Sequence, residues 1–159
     1  MNGERRSMRV SRATAAGAIG TGVVTALWLV EPSVGLPKIA VGQILNTLMS
    51  VSVAHMNVGP AGGWFVHLVV GVVLALIYAR LFAPRLPGPA VARGAVYGTL
   101  VFVVAQVFFA PLVGAGFFSG GDVELLLGSL IGNVIYGIVV GWIYDLPTNV
   151  QTAPVPRPS

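Results

Sequence analysis

Four apolar runs, near 13–30, 64–82, 91–113 and 123–144, divide this chain of 159 residues. Each is long enough to cross about 30 Å of hydrocarbon. A soluble fold cannot carry four such stretches at once, because a water-facing surface needs charge. Only 9% of the residues are charged, against roughly 25% in an average soluble domain. Inside a bilayer every backbone polar group has to be satisfied within the protein, and helices of this length do that. The sequence predicts an all-α membrane protein, a four-transmembrane-helix bundle whose solvent is the lipid bilayer.

The net charge of +4 raises the question of an anionic partner. Placing each base on the four spans answers it. Arg5, Arg6, Arg9 and Arg12 precede the first run, Arg80, Arg85 and Arg93 lie in or beside the second link, and Arg157 is in the tail. Only Lys38 falls on the other side. This is the positive-inside pattern, and it predicts cytoplasmic N- and C-termini in a bacterial inner membrane. The basic balance records topology, so no nucleic acid is expected as a partner. Arg5 and Arg6 also precede an apolar run as in a secretory or twin-arginine signal. The run 13–30 exceeds the roughly 7–15 residues of a signal core, and no small-x-small site follows before Pro32, so the first span is expected to remain. The chain has no cysteine, which excludes disulfides and thiolate metal ligands.

Residues 1–11 form a basic cytoplasmic segment and 146–159 a proline-rich cytoplasmic tail, both expected to be mobile and flanking a transmembrane domain over 12–145. "APRLPGPA" (83–90) forces a short turn between spans two and three, which should form an antiparallel hairpin. The link between spans one and two holds an uncharged stretch, 41–57, with Gln43, Asn46, Thr47, Ser50 and Asn57 on one helical face. Val41, Ile44, Leu45, Leu48, Met49 and Met56 take the other face, with His55 among them. This predicts an outer amphipathic or re-entrant helix.

The chain also repeats itself. A shift of 66 residues lays "HLVVGVVLALIY" (67–78) on "NVIYGIVVGWIY" (133–144), matching Gly71 with Gly137 and Tyr78 with Tyr144, and His67 with Asn133. Spans one and three align more loosely, Arg12 on Arg93, Gly17 on Gly98 and Thr25 on Gln106. The pattern predicts a tandem repeat of two helical hairpins about a pseudo-two-fold along the membrane normal.

The repeat points to the residues that carry chemistry. With Tyr78 and Tyr144 taken as interfacial aromatics, His67 and Asn133 stand about 16 Å away, near the bilayer midplane. His67, Gly71, Ala75 and Tyr78 share one helical face, and Asn133, Gly137, Gly141 and Tyr144 repeat it. Small residues let backbones approach, and span four carries Gly128–Gly132 and Gly137–Gly141 as GxxxG pairs, so both polar groups should face the interior. The expectation is an intramembrane polar cluster of His67, Asn133, Gln106, Thr25, Tyr78 and Tyr144, packed through Gly71, Gly128, Gly132, Gly137 and Gly141. Such a cluster either glues helices together through hydrogen bonds or serves a ligand or ion.

Catalytic patterns are missing. "GSLIG" (128–132) and "GFFSGG" (116–121) are not nucleophile elbows, and no span interior holds a carboxylate pair. Glu31, Asp122, Glu124 and His55 lack HxxxH or HExxH spacing for a metal. Bis-histidine haem ligation by His55 and His67 would be strained by Pro60 between them. No catalytic residue, metal or cofactor is expected.

"GLPK" (35–38), "WFVH" (64–67), "RGAVYG" (93–98), "PLVGAGFF" (111–118) and "GSLIGNVIYGIVVG" (128–141) resemble a family of small bacterial multi-pass membrane proteins, catalogued as a domain of unknown function. The resemblance covers about residues 12–145 and implies a membrane bundle without a reaction. It also implies that histidine often stands where this chain has Asn133, which weakens any paired-histidine metal or haem reading. The resulting expectation is a non-enzymatic accessory or scaffold subunit, forming a homo-oligomer or packing on a membrane-protein partner through its glycine-lined faces. The alternative is a small oligomeric transporter or channel built around His67.

Overall fold

A computed structural model describes residues 2–30, 33 and 59–147. The helix expected at 41–57, together with Glu31, Lys38, His55 and the tail from 148 onward, lies outside the described residues.

Helix α1 runs Asn2–Val30, α2 Gly59–Ile77, α3 Ala90–Val104 and α4 Val123–Tyr144. Helix α2 ends in a π-helical turn, Tyr78–Phe82. Helix α3 continues through another, Ala105–Phe109, into a last turn at Ala110–Leu112. No strand occurs among the described residues. Among the described residues, four stretches are long and apolar enough to span a membrane: Arg6–Val30, Ala61–Phe82, Ala90–Leu112 and Val123–Tyr144. At 29 residues α1 is roughly 43 Å long, well beyond the hydrocarbon thickness. Its basic first turns are therefore helix rather than the mobile segment expected there. No proline interrupts them, and arginine is a good helix former.

Each remaining boundary has a local cause. Pro84 and Pro87 stop α2, and Arg85 donates to its terminal carbonyls, Leu81 O at 2.8 Å among them. Pro89 is extended and opens α3. Asp122 caps α4 by accepting from the Leu125 amide at 3.1 Å, with Glu124 in the first turn.

Glycine decides which helices touch. Helix α1 packs on α2 and α4, and α3 packs on α4. A Cβ on Gly17 would stand 2.8 Å from the Gly71 carbonyl and from Ala75, and a Cβ on Gly137 would meet Gly94 and Gly98. Neighbouring α2 and α3, by contrast, do not pack along their length. The hairpin expected between them is thus a connection without a helix–helix seam, because aromatic rings hold the two apart. Tyr78 and Phe82 of α2 meet Tyr97 of α3 at ring separations of 5.2 and 4.8 Å. The core is small residues plus tyrosine: Ala16, Ala75, Tyr78, Tyr97, Tyr136 and Val140. Large apolar side chains such as Phe65, Leu100 and Ile131 point outward, as a lipid solvent requires.

Candidate intramembrane polar site

The polar residues do not form one cluster. They fall into three groups, set by which helices approach closely enough.

In the first group His67 of α2 stacks on Trp28 of α1, ring centroids 5.3 Å apart and planes 26° from parallel. Trp64, one turn before His67, meets it edge-on at 5.9 Å. Trp28 in turn lies on Gly132 of α4: a Cβ there would stand 2.9–3.1 Å from three consecutive indole atoms, Nε1, Cε2 and Cζ2. The column Gly132, Trp28, His67, Trp64 therefore joins three helices through flat surfaces. His67 Nδ1 and Trp28 Nε1 are both buried without a hydrogen-bond partner. His67 lies six residues inside Ala61, about 9 Å from that end of a stretch that runs to Phe82. Tyr78, near the other end of that stretch, is fully buried within the bundle.

The second group lies between α3, α4 and the turn that joins them. Ser119 Oγ donates to Gln106 Oε1 at 2.8 Å, and Gln106 Nε2 donates to Ser129 Oγ at 3.1 Å. Asn133 Nδ2 donates to the Ser129 carbonyl at 2.8 Å and reaches its hydroxyl at 3.5 Å. Gln106 and Asn133 are brought together through Ser129, the serine of "GSLIG". The turn pays for its geometry: Phe118 and Ser119 take left-handed φ of 47° and 51°, each costing about 1–2 kcal/mol for a residue with a Cβ.

The third group closes the opposite, basic end. Arg93 Nη1 donates to the Ala83 carbonyl at 2.7 Å, ending α2, while Nη2 pairs with Asp145 at the end of α4. Arg12 Nη2 donates to the Leu146 carbonyl. Tyr78 and Tyr144 belong here, edge to face at 6.0 Å. Tyr78 Oη and Arg93 Nε are buried and unpartnered. Between the ends, Tyr97 donates to Leu74 O at 2.7 Å and Tyr136 to Gly71 O, tying α3 and α4 to α2 across the aromatic wedge.

Thr25 is half-buried and enters none of these groups. Thr21, one turn earlier, is the buried threonine: it donates to Gly17 O at 2.8 Å and fills the space over Gly71. The packing glycines are where the sequence placed them. Gly71, Gly128, Gly132, Gly137 and Gly141 are all buried, and among them Gly71, Gly132, Gly137 and Gly141 press on α1 or α3 of this same chain. Among the described residues no group of three His, Asp or Glu side chains is close enough to hold a metal.

A model of a family described as a family of unknown function (DUF6789) matches residues 7–155. No curated protein and no solved structure matches the chain.

Proposed function

The chain belongs to this family of unknown function, which brings no reaction with it, and we propose that it is a non-enzymatic accessory or scaffold subunit. In this reading it sits in a bacterial cytoplasmic membrane with both termini in the cytoplasm, and α1 docks against a transmembrane helix of its partner. The observation that carries this is a change of face. The glycine faces of α2, α3 and α4 are spent on packing within the chain, so they are not free for a partner. Helix α1 keeps a second small-residue face, Ala15, Ala18, Gly22 and Ala26, spaced for one side of a helix. Three of these are exposed, and a Cβ on Gly22 would touch nothing within 4 Å. Small lipid-facing residues let another helix approach.

The tandem repeat is part of this reading, and two pairs of contacts support it. Gly17 faces Gly71 as Gly98 faces Gly137. Arg12 of span one holds the end of span four, as Arg93 of span three holds the end of span two. The α1–α4 seam has no counterpart between α2 and α3, so the repeat holds for these contacts and not for the packing as a whole.

The test is Gly22→Leu, read by native mass spectrometry of protein released gently from its own membranes, with unfolding followed in parallel. Loss of the associated mass with unfolding unchanged is the expected result. An assembly indifferent to the substitution, or a wild-type protein that is monomeric and alone, would sink the reading. The second reading, transport, is favoured only by the chain from Ser119 through Gln106 and Ser129 to Asn133, which leads polar groups from a loop to mid-span. It requires flux in liposomes that Asn133→Leu removes.

A further inference from the structure

We infer that Arg80 and Arg85, where α2 turns toward α3, bind the phosphate of an anionic phospholipid in the leaflet at the basic end of the bundle. Such binding stands whether or not α1 docks on a partner. Both side chains are exposed. Arg80 makes no side-chain hydrogen bond or ion pair among the described residues. Arg85 uses a single nitrogen, Nη1, for two carbonyls, Leu81 O at 2.8 Å and Arg80 O at 3.3 Å. Its Nη2 and Nε remain for another acceptor. Those same bonds hold the second guanidinium against the backbone of the first, so two cations share one turn. Neither pairs with a carboxylate of the described residues, and Asp145 at the end of α4 is taken by Arg93.

Position favours a lipid over a soluble partner. Arg80 follows Val73 and Ile77 at helical spacing, on a side that leaves them 47% and 37% exposed. It stands nineteen residues after Ala61, about 28 Å along the helix, so its charge reaches the headgroups that border about 30 Å of hydrocarbon. At that depth an arginine lays its methylenes on acyl chains and lifts its guanidinium to the interface. A guanidinium there meets a phosphate through two parallel N–H···O bonds. An acidic protein or a nucleic acid arriving from water would first meet the exposed tip of the turn, Pro87 and Gly88. The positive-inside rule accounts for the side on which these arginines lie, but not for two of them on one turn without a counter-ion.

The experiment is native mass spectrometry of the full chain, stripped of lipid in a neutral detergent. It is offered phosphatidylglycerol and phosphatidylcholine with identical tails, and the readout is the ratio of the two in the first bound adduct. Wild type should favour phosphatidylglycerol. Arg80→Gln, which breaks no hydrogen bond or ion pair of its side chain within the protein, should lower the ratio about fivefold, the worth of one arginine at an anionic surface. Arg80→Lys should keep most of the preference. Arg6→Gln combined with Arg9→Gln removes twice the charge from the exposed start of α1 and, being screened, should change the ratio by less than about twofold. Glycerol 3-phosphate in excess should displace no lipid. A wild-type ratio near unity, an Arg80→Gln ratio equal to wild type, or an equal fall in the α1 double variant would overturn the site. Displacement by glycerol 3-phosphate would assign the two arginines to a soluble phosphate and overturn the lipid.

Discussion

At position 67 a ring is used for its flatness. Phenylalanine preserves the stack and removes a buried, unpartnered nitrogen, whereas alanine removes the ring. We predict that His67→Phe folds with little or no loss, because no hydrogen bond within the protein is broken. His67→Ala should lose about 3 kcal/mol, through the missing stack and the cavity beside Trp28. Reversible unfolding in mixed micelles reads both, and equal losses would mean that the nitrogens matter more than the stack. At the basic end the prediction is asymmetric. Arg93→Gln should cost more than Asp145→Asn, by about 1–2 kcal/mol on the same assay, because Arg93 also holds the Ala83 carbonyl. Gln106 and Asn133 are legible in the sequence as intramembrane amides, but the bridging role of Ser129 between them is not. A serine hydroxyl in a helix carries no signal of its own, since it can bond its own backbone. Thr25 and Thr21 are one turn apart on the same helix. Only the depth at which α1 meets Gly71 makes Thr21 the buried one.

The helices are placed by contacts that a single methyl group disrupts. Gly98→Ala should weaken the α3–α4 seam by about 1–3 kcal/mol, since its Cβ would collide with the Asn133 carbonyl. Gly22→Ala, facing open space on α1, should instead be neutral or stabilise by up to about 1 kcal/mol through helix propensity. Circular dichroism during detergent-driven unfolding separates the two, and identical behaviour would refute the packing assigned to Gly98. In the turn after α3, Phe118→Gly should stabilise by about 1 kcal/mol, because glycine takes a φ of 47° without strain. The four helices and most of their ends were legible, because hydrophobic length and proline position act locally. Which neighbours would form a seam was not. Chain order suggested α2 with α3, but Tyr78, Phe82 and Tyr97 are too bulky for the approach that Gly94, Gly98, Gly137 and Gly141 permit between α3 and α4.

On the scale of the whole molecule, the chain has no cysteine, so single-cysteine variants report topology against a silent background. Pro87→Cys in the α2–α3 turn and Phe117→Cys in the turn before α4 lie at opposite ends of the bundle and are both exposed. With cytoplasmic termini, a membrane-impermeant maleimide should label Phe117→Cys in intact spheroplasts and Pro87→Cys only after lysis. The reverse order would invert the proposed orientation. The charge pattern behind that orientation is a property of the linear chain, and so is membrane residence, because insertion answers to length, hydrophobicity and the arginines flanking each span. Sequence alone therefore determined the solvent, the number of spans and the glycines that pack. Only the tertiary structure decided who meets whom: His67 with Trp28, Gln106 with Ser129, Arg93 with Asp145 and Ala83 O. The reason is one of range. Partition into lipid sums over a segment, whereas a ring stack or a hydrogen bond depends on relative depth and rotation of two helices to within about an ångström, and no periodicity within one helix encodes that.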